Sequence, residues 1–152
     1  MSIFDTSLWQ ALSRGEIEEG RAFAPHFGAD GLIPVIAVDA ESGAVLMLAH
    51  MNAEALARTL ATGDMYYWSR ARNALWRKGA TSGHVQKLVT IQVDCDQDCL
   101  LARVQQEGAA CHVGYKTCFY RRVAVEGDGA GLSHPEGEKL FDPVAVYGAK
   151  DA

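Results

Sequence analysis

Apolar positions in this chain fall into short runs separated by glycine and polar turns, and only one stretch repeats at helical spacing. Leu32-Ile33-Pro34-Val35-Ile36-Ala37-Val38 is rich in β-branched residues; Asp39 to Gly43 supplies turn chemistry, and Ala44 to Ala49 resumes the apolar pattern. Two such runs around a Gly-containing loop predict a β-hairpin. Asn52 is a good N-cap for a helix through Ala53 to Leu60, with Glu54 in the first turn and Gly63 where a C-terminal stop is expected. Leu56 and Leu60 share one face of it at i, i+4 spacing. Met65 to Ser69 is aromatic and strand-like. Val89, Ile91 and Val93 alternate with Thr90, Gln92 and Asp94, and Leu100 to Val104 reads as the return strand. Cys95 to Asp98 therefore belong at the tip of a second hairpin. Phe119 to Val125 is a further strand candidate and Val144 to Tyr147 an edge segment.

The flanks are less regular. Ser7 to Leu12 could make one or two amphipathic turns, after which Gly15, Gly20, Pro25 and Gly28 break the pattern. The division expected is a peripheral extension over 1–28, a core domain over 29–125 and a C-terminal tail over 126–152 packing on the core. The fold class is α+β and strand-rich, with a curved, antiparallel, barrel-like sheet and one main helix at Asn52 to Thr62.

At 152 residues the chain can bury a core without disulfide staples. Hydrophobic residues make up 49% and charged residues 22%, and the formal net charge of −5 excludes a general nucleic-acid-binding surface. No run approaches the roughly 20 apolar residues of a membrane span. The start, Met1-Ser2-Ile3-Phe4-Asp5, lacks the charged and apolar regions of a signal peptide, so a cytoplasmic location is expected. In that reducing setting, metal binding or catalysis competes well with disulfide formation for the cysteines.

All four cysteines fall between Cys95 and Cys118, together with Asp94, Asp96, Asp98 and His112. Three carboxylates at alternate positions repel one another unless a cation sits between them, and oxygen ligands suit a hard ion such as Mg²⁺. An EF-hand does not fit, because the required Gly is Cys99 and the required Glu is Gln105. A solvated hairpin tip is the plainer reading of the aspartates alone. The cysteine spacings, three residues between Cys95 and Cys99 and six between Cys111 and Cys118, do not match a zinc ribbon. Thiolates nevertheless select Zn²⁺, and three of them leave a fourth position open; four buried free thiols would be the bland alternative. In a regular strand Cys95 points opposite to Asp94 and Asp96, which predicts two metals of different hardness. His112, beside Cys111, is a general acid/base candidate, with His84 in Ser82-Gly83-His84 a second.

A basic segment, Ser69 to Lys87, carries Arg70, Arg72, Arg77, Lys78 and Lys87 in this acidic chain. Arginine forks and approachable glycine backbone suit phosphate, although a solvated loop face has the same composition. Trp68 and Trp76 could stack on a base or simply fill the core.

These residues carry a family resemblance. The chain resembles phosphoribosyl-AMP cyclohydrolases over Gly31 to Arg121, through Leu46-Met47-Leu48-Ala49 with Met51-Asn52, Ser69-Arg70-Ala71-Arg72, Trp76-Arg77-Lys78-Gly79 with Thr81-Ser82-Gly83, Asp94-Cys95-Asp96-Gln97-Asp98, and Ala110-Cys111-His112 through Cys118-Phe119-Tyr120-Arg121. The resemblance implies hydrolytic opening of the adenine ring of phosphoribosyl-AMP between N1 and C6, in histidine biosynthesis, by a homodimer with metal sites at the subunit interface. Its zinc ligands fall on Cys95, Cys111 and Cys118, with Cys95 contributed across the dimer, and its magnesium ligands on Asp94, Asp96 and Asp98. Zinc would then acidify a water for attack on C6. His112 or His84 would move the proton, and Arg70, Arg72, Lys78, Ser82 and Trp76 would bind the phosphorylated nucleotide.

The sequence departs from the family pattern at Ala71, where Ser is common, at Thr117, where Ser is common, and at His50, where Tyr is usual. Cys99 lies outside the ligand pattern. As a fourth zinc ligand it would close the site and make the protein a non-catalytic structural-zinc module, the alternative from another class. A zinc deaminase would need H-x-E and P-C-x-x-C, and neither is present.

Overall fold

The computed structural model describes residues 3–148. In chain order the elements are α1 (Leu8–Ala11), α2 (Arg14–Glu19), β1 (Ile33–Asp39), β2 (Val45–Met51), α3 (Ala53–Thr62), β3 (Tyr66–Ser69), β4 (Ala74–Arg77), β5 (Gln86–Val93), β6 (Leu100–Gln106), β7 (Val123–Glu126), β8 (Gly129–Leu132) and α4 (Pro143–Tyr147). Six strands form one sheet in the order β4-β3-β2-β1-β6-β5. The sheet curls into a half-barrel. Its outermost strand β5 reaches back to the segment before β3: Leu88 N–H donates to Gly63 O at 2.8 Å and Met65 N–H to Gln86 O at 3.2 Å. Strand-rich α+β architecture with a curved sheet is thus what the pattern predicted.

The main helix α3 starts and stops where expected. Asn52 Oδ1 accepts from Ala55 N–H at 2.8 Å, and Gly63 ends the helix in the left-handed conformation at φ 79°, which a residue with a Cβ adopts only at a cost. Ala55, Leu56 and Thr59 are its buried face. They pack on a core that also takes Ile33, Val35 and Ala37 of β1, Leu46, Met47 and Met51 of β2, Tyr67 of β3, and Leu100, Ala102 and Val104 of β6.

Several local expectations differ. One pairing is parallel: β1 runs beside β6 with Val35 opposite Leu100 and Asp39 opposite Val104, while the other four pairings are antiparallel. β5 does not alternate cleanly, because its register with β6 shifts between Leu88 and Thr90, leaving Val89 50% exposed; an extra residue in one strand breaks face parity. The strand expected over Phe119 to Val125 begins only at Val123 and forms a separate two-stranded ribbon, β7-β8. Val144 to Tyr147 is the short helix α4, with Asp142 accepting from Val144 N–H at 3.0 Å and Pro143 at its start, both helix-initiating features. β4 and α2 were not anticipated; α2 is fixed by a reciprocal Ser13–Glu16 capping box.

The terminal segments touch the core at defined places. Phe4 is buried against Phe23 and Phe27, with ring centroids 5.8 and 6.2 Å away. At the other end, Leu140 N–H donates to Gly114 O at 2.7 Å, and Phe141 sets its ring edge against His84 at 4.7 Å.

Candidate active site

The loop between β5 and β6 holds the aspartates. Asp94 Oδ1 accepts from Asp98 N–H at 3.0 Å and Cys99 N–H at 3.2 Å, and Gln97 N–H donates to Asp94 O at 3.1 Å. The turn brings one carboxylate oxygen each of Asp94, Asp96 and Asp98 within 4.8 Å of one another, all three residues exposed. Among the described residues this is the one group of three metal-ligating side chains so close. The crowding shifts the acidities apart: Asp96 first, then burial and Asp94, push the Asp98 carboxyl up to about 6, while Asp98 first holds Asp96 low. Because β5 ends at Val93, the aspartates converge as a turn and not as one strand face.

The cysteines divide. Cys111 and Cys118 influence one another's acidity: Cys118 is the main cause that pulls the Cys111 thiol down to about 6, and Cys111 in turn pushes the Cys118 thiol well up. Val113 N–H at 3.4 Å and the charges of His112 and Lys78 assist. Their loop is stapled to the start of β2 and the end of β1: Thr117 Oγ1 donates to Val45 O at 2.8 Å, Cys118 N–H donates to Leu46 O at 2.7 Å, and Lys116 pairs with Asp39 at 3.3 Å. Thr117, where Ser is common, therefore keeps its hydroxyl in use. Register puts Leu46 near the level of Val38, whereas the acidic loop enters β6 at Leu100, level with Val35. Cys95 sits exposed on that acidic loop and does not join the Cys111–Cys118 pair as a third close ligand. Cys99 is half-buried; burial first, then Asp94 and Asp98, push its thiol up and keep it protonated.

The two histidines differ in setting. His112 is exposed beside Cys111. His84 is half-buried and its Nδ1 has no hydrogen-bond partner. Its backbone is held by Ser82 Oγ, which accepts the His84 N–H at 3.1 Å, and by Gln106 Nε2, which donates to His84 O at 3.1 Å. Gln106 ends a buried polar chain: Tyr67 O–H donates to Gln86 Oε1 at 2.7 Å, and Gln86 Nε2 donates to Gln106 Oε1 at 2.7 Å. Burial pushes the Tyr67 hydroxyl pKa far up.

Arg70 and Arg72 lie exposed at the rim of a cleft of about 500 Å³ floored by Leu48, Ala49, His50, Trp68 and Trp76. Arg72 stands 5.9 Å over the Trp76 ring, and Ser69 Oγ accepts its backbone N–H at 3.1 Å. Burial, then Arg70, lower the His50 pKa. Lys78 is elsewhere than its neighbours in sequence suggested. It is 7% exposed, with Nζ donating to Ala110 O at 2.5 Å. Burial lowers its pKa while Cys118 and Cys111 raise it.

Comparison with known proteins bears on this arrangement. The chain is 56% identical over 140 residues to the phosphoribosyl-AMP cyclohydrolase of Nitrobacter winogradskyi, covering 91% of this chain and 96% of that protein. It is 56% identical over 132 residues to that of Bradyrhizobium diazoefficiens (87% and 94%) and 50% identical over 150 residues to that of Rhodopseudomonas palustris (97% and 99%). The family model for phosphoribosyl-AMP cyclohydrolase matches residues 47–120. The chain belongs to the phosphoribosyl-AMP cyclohydrolase family. It is a hydrolase of that family. The matched region contains the arginine-rimmed cleft, the acidic loop and both members of the cysteine pair.

Three participants were not legible in the sequence. Gln97 is 4% exposed inside an otherwise exposed loop, and Gln86 is 1% exposed in the core. A glutamine among charged or apolar neighbours carries no pattern that marks it as buried. His50 lines the cleft on β2, and its only sequence signal was that it stands where Tyr is usual.

Proposed function

We propose that the protein is a homodimeric, cytoplasmic, zinc-dependent phosphoribosyl-AMP cyclohydrolase that opens the adenine ring of 1-(5-phosphoribosyl)-AMP at the N1–C6 bond, in L-histidine biosynthesis. The product is the phosphoribosyl-formimino aminoimidazole carboxamide ribotide. One water is consumed: its oxygen ends on C6, which becomes the carboxamide carbon, and a proton ends on N1. Residues 29–125 form the catalytic core in this reading, with 1–28 a peripheral extension and the segment after 125 a tail on that core. The observation that carries it is the pair of free cysteines Cys111 and Cys118, brought to one loop and one ligand short of a three-thiolate set.

The residues fit the metals expected of them. Cys111 is already largely thiolate near neutral pH, the form zinc requires. The third ligand would be Cys95 of the partner subunit, in keeping with the separation of Cys95 from the pair within one chain. Zinc so held would supply Lewis-acid activation for the hydrolysis. Asp94, Asp96 and Asp98 would hold magnesium, an oxygen set that suits a hard cation.

The remaining work falls to this chain's own side chains. Arg70 and Arg72 orient phosphate at the cleft rim, where guanidinium forks match its oxygens. Trp76 offers an apolar face for the base, and Ser82 acts with them through its place beside His84. Lys78 serves by holding the Ala110 carbonyl and balancing the thiolate beneath the loop. His112, exposed next to Cys111, carries the proton to N1. His84, the other candidate, has a buried Nδ1 without a hydrogen-bond partner.

A non-catalytic zinc module would need Cys99 as a fourth thiolate. Cys99 sits half-buried on the acidic loop and, among the described residues, forms no close ligand group with Cys111 and Cys118. The test is to add phosphoribosyl-AMP to zinc-loaded protein and follow the purine absorption band. The band should give way to that of the opened product, whose mass is higher by one water, and a zinc chelator should stop the change. No spectral change with zinc fully loaded refutes the proposal.

A further inference from the structure

We propose that Gln97, together with the N-terminal segment it binds, is a positioning element that holds the acidic loop ready for its cation. The inference rests on the reading that Asp94, Asp96 and Asp98 hold a divalent ion. Gln97 is the one buried residue of the exposed run Asp94 to Asp98. Its side-chain bonds all go to one distant stretch of chain. Gln97 Oε1 accepts from Ala24 N–H at 2.8 Å, and Nε2 donates to Ile17 O at 3.1 Å and Ala22 O at 3.2 Å. Its own carbonyl accepts from His26 N–H at 2.8 Å. The next residue back is tied as well, because Trp9 Nε1 donates to Asp96 O at 2.9 Å, and the Trp9 ring stacks on His26 at 3.7 Å.

Gln97 also stands at φ 58°, a left-handed conformation that a non-glycine residue keeps only where its surroundings over-determine it. The N-terminal segment supplies that over-determination. Without it, three carboxylates within 4.8 Å relax apart, since like charges in one turn repel. An ion entering a spread loop must gather the ligands itself and binds more weakly; a loop already clamped has that ordering done.

The experiment uses full-length, zinc-loaded protein with Mn²⁺ as the probe, free Mn²⁺ being read by electron paramagnetic resonance. Wild type should bind Mn²⁺, and Asp96→Asn should lose it. Gln97→Ala should weaken it about tenfold, and Trp9→Phe, which keeps a ring over His26 but loses one donor, about threefold. Zinc content and far-ultraviolet circular dichroism should stay unchanged in both. Should Gln97→Ala fail to fold, Trp9→Phe decides. Affinities of both variants within about twofold of wild type, with Asp96→Asn still defective, overturn the positioning role and leave the cation reading standing. Wild type binding no better than Asp96→Asn overturns the cation reading, and the positioning role falls with it.

Discussion

Tyr67→Phe removes one oxygen from the middle of the fold and leaves every ring contact in place. Tyr67 and Gln86 are almost wholly buried, and the lost hydroxyl is the donor that reaches Gln86 Oε1 at 2.7 Å. No water can replace it there, so an amide oxygen is left without a partner, at a cost of about 1–3 kcal/mol. Gln86→Leu should cost a similar amount, because it strands the Tyr67 hydroxyl; Gln106, half-exposed at the far end of the chain of bonds, can turn to solvent. The double variant strands neither group. It should therefore be destabilised by less than the sum of the two single changes, with a coupling of about 1 kcal/mol or more. Urea denaturation at fixed protein concentration and zinc loading reads this directly: with a slope of about 2 kcal/mol per molar, a 2 kcal/mol loss moves the midpoint by about 1 M. A Tyr67→Phe loss below about 0.5 kcal/mol, or strict additivity in the double variant, refutes the reasoning.

Three further outcomes are expected. In metal-free protein Cys111 should alkylate with a midpoint near its pKa of about 6. Cys118→Ala should return that midpoint most of the way to the ordinary thiol value of about 8.5, and Lys78→Met should move it less, Lys78 being the weakest of the named influences. Because this folded-state pKa is depressed, its contribution to stability is present at high pH and fades as pH falls through about 6. Asp98 has the opposite sign. Raised to about 6, it contributes stability below the ordinary carboxyl value of about 3.9, a contribution lost as pH rises to the folded value. Metal-free Asp98→Asn should lack that loss, so melting curves against pH that run parallel to wild type speak against it. Finally, Cys99→Ser should keep both zinc stoichiometry and turnover, and loss of either would make Cys99 a ligand after all.

The sequence spoke clearly where structure is local. The helix after Asn52 carries its start, its stop and its apolar face within a dozen positions, and the structure keeps all three. The hairpin tip at Cys95 to Asp98 was likewise visible, because strand alternation ran into it from one side and resumed on the other. What stayed hidden depends on partners far along the chain. β1 and β6 both read as strands, but nothing in either says that they lie side by side and parallel. The bulge at Val89 is a property of the pairing, not of the residue. Lys78 looked like one cation in a basic run, and only the fold turns it inward beneath Ala110. Strand parity predicted that the aspartates share one face of a strand; they do converge, but through a turn beyond the end of β5.

The parallel contact between β1 and β6 also fixes an order of events during folding. The turn of the acidic loop closes with the β5-β6 hairpin, whose two strands meet across it, while its clamp waits for the N-terminal segment that binds Gln97. Hairpin pairings close quickly, on a microsecond scale of about 1–10 μs. The long-range contacts are different: β6 must find β1, with Leu100 opposite Val35, and Cys118 must find Leu46, each encounter closing a far longer stretch of chain at a greater entropic cost. A nascent molecule therefore forms the acidic turn before the loop that carries Cys111 and Cys118. That cysteine pair is assembled only once the sheet has its neighbours, so a half-folded chain does not present it.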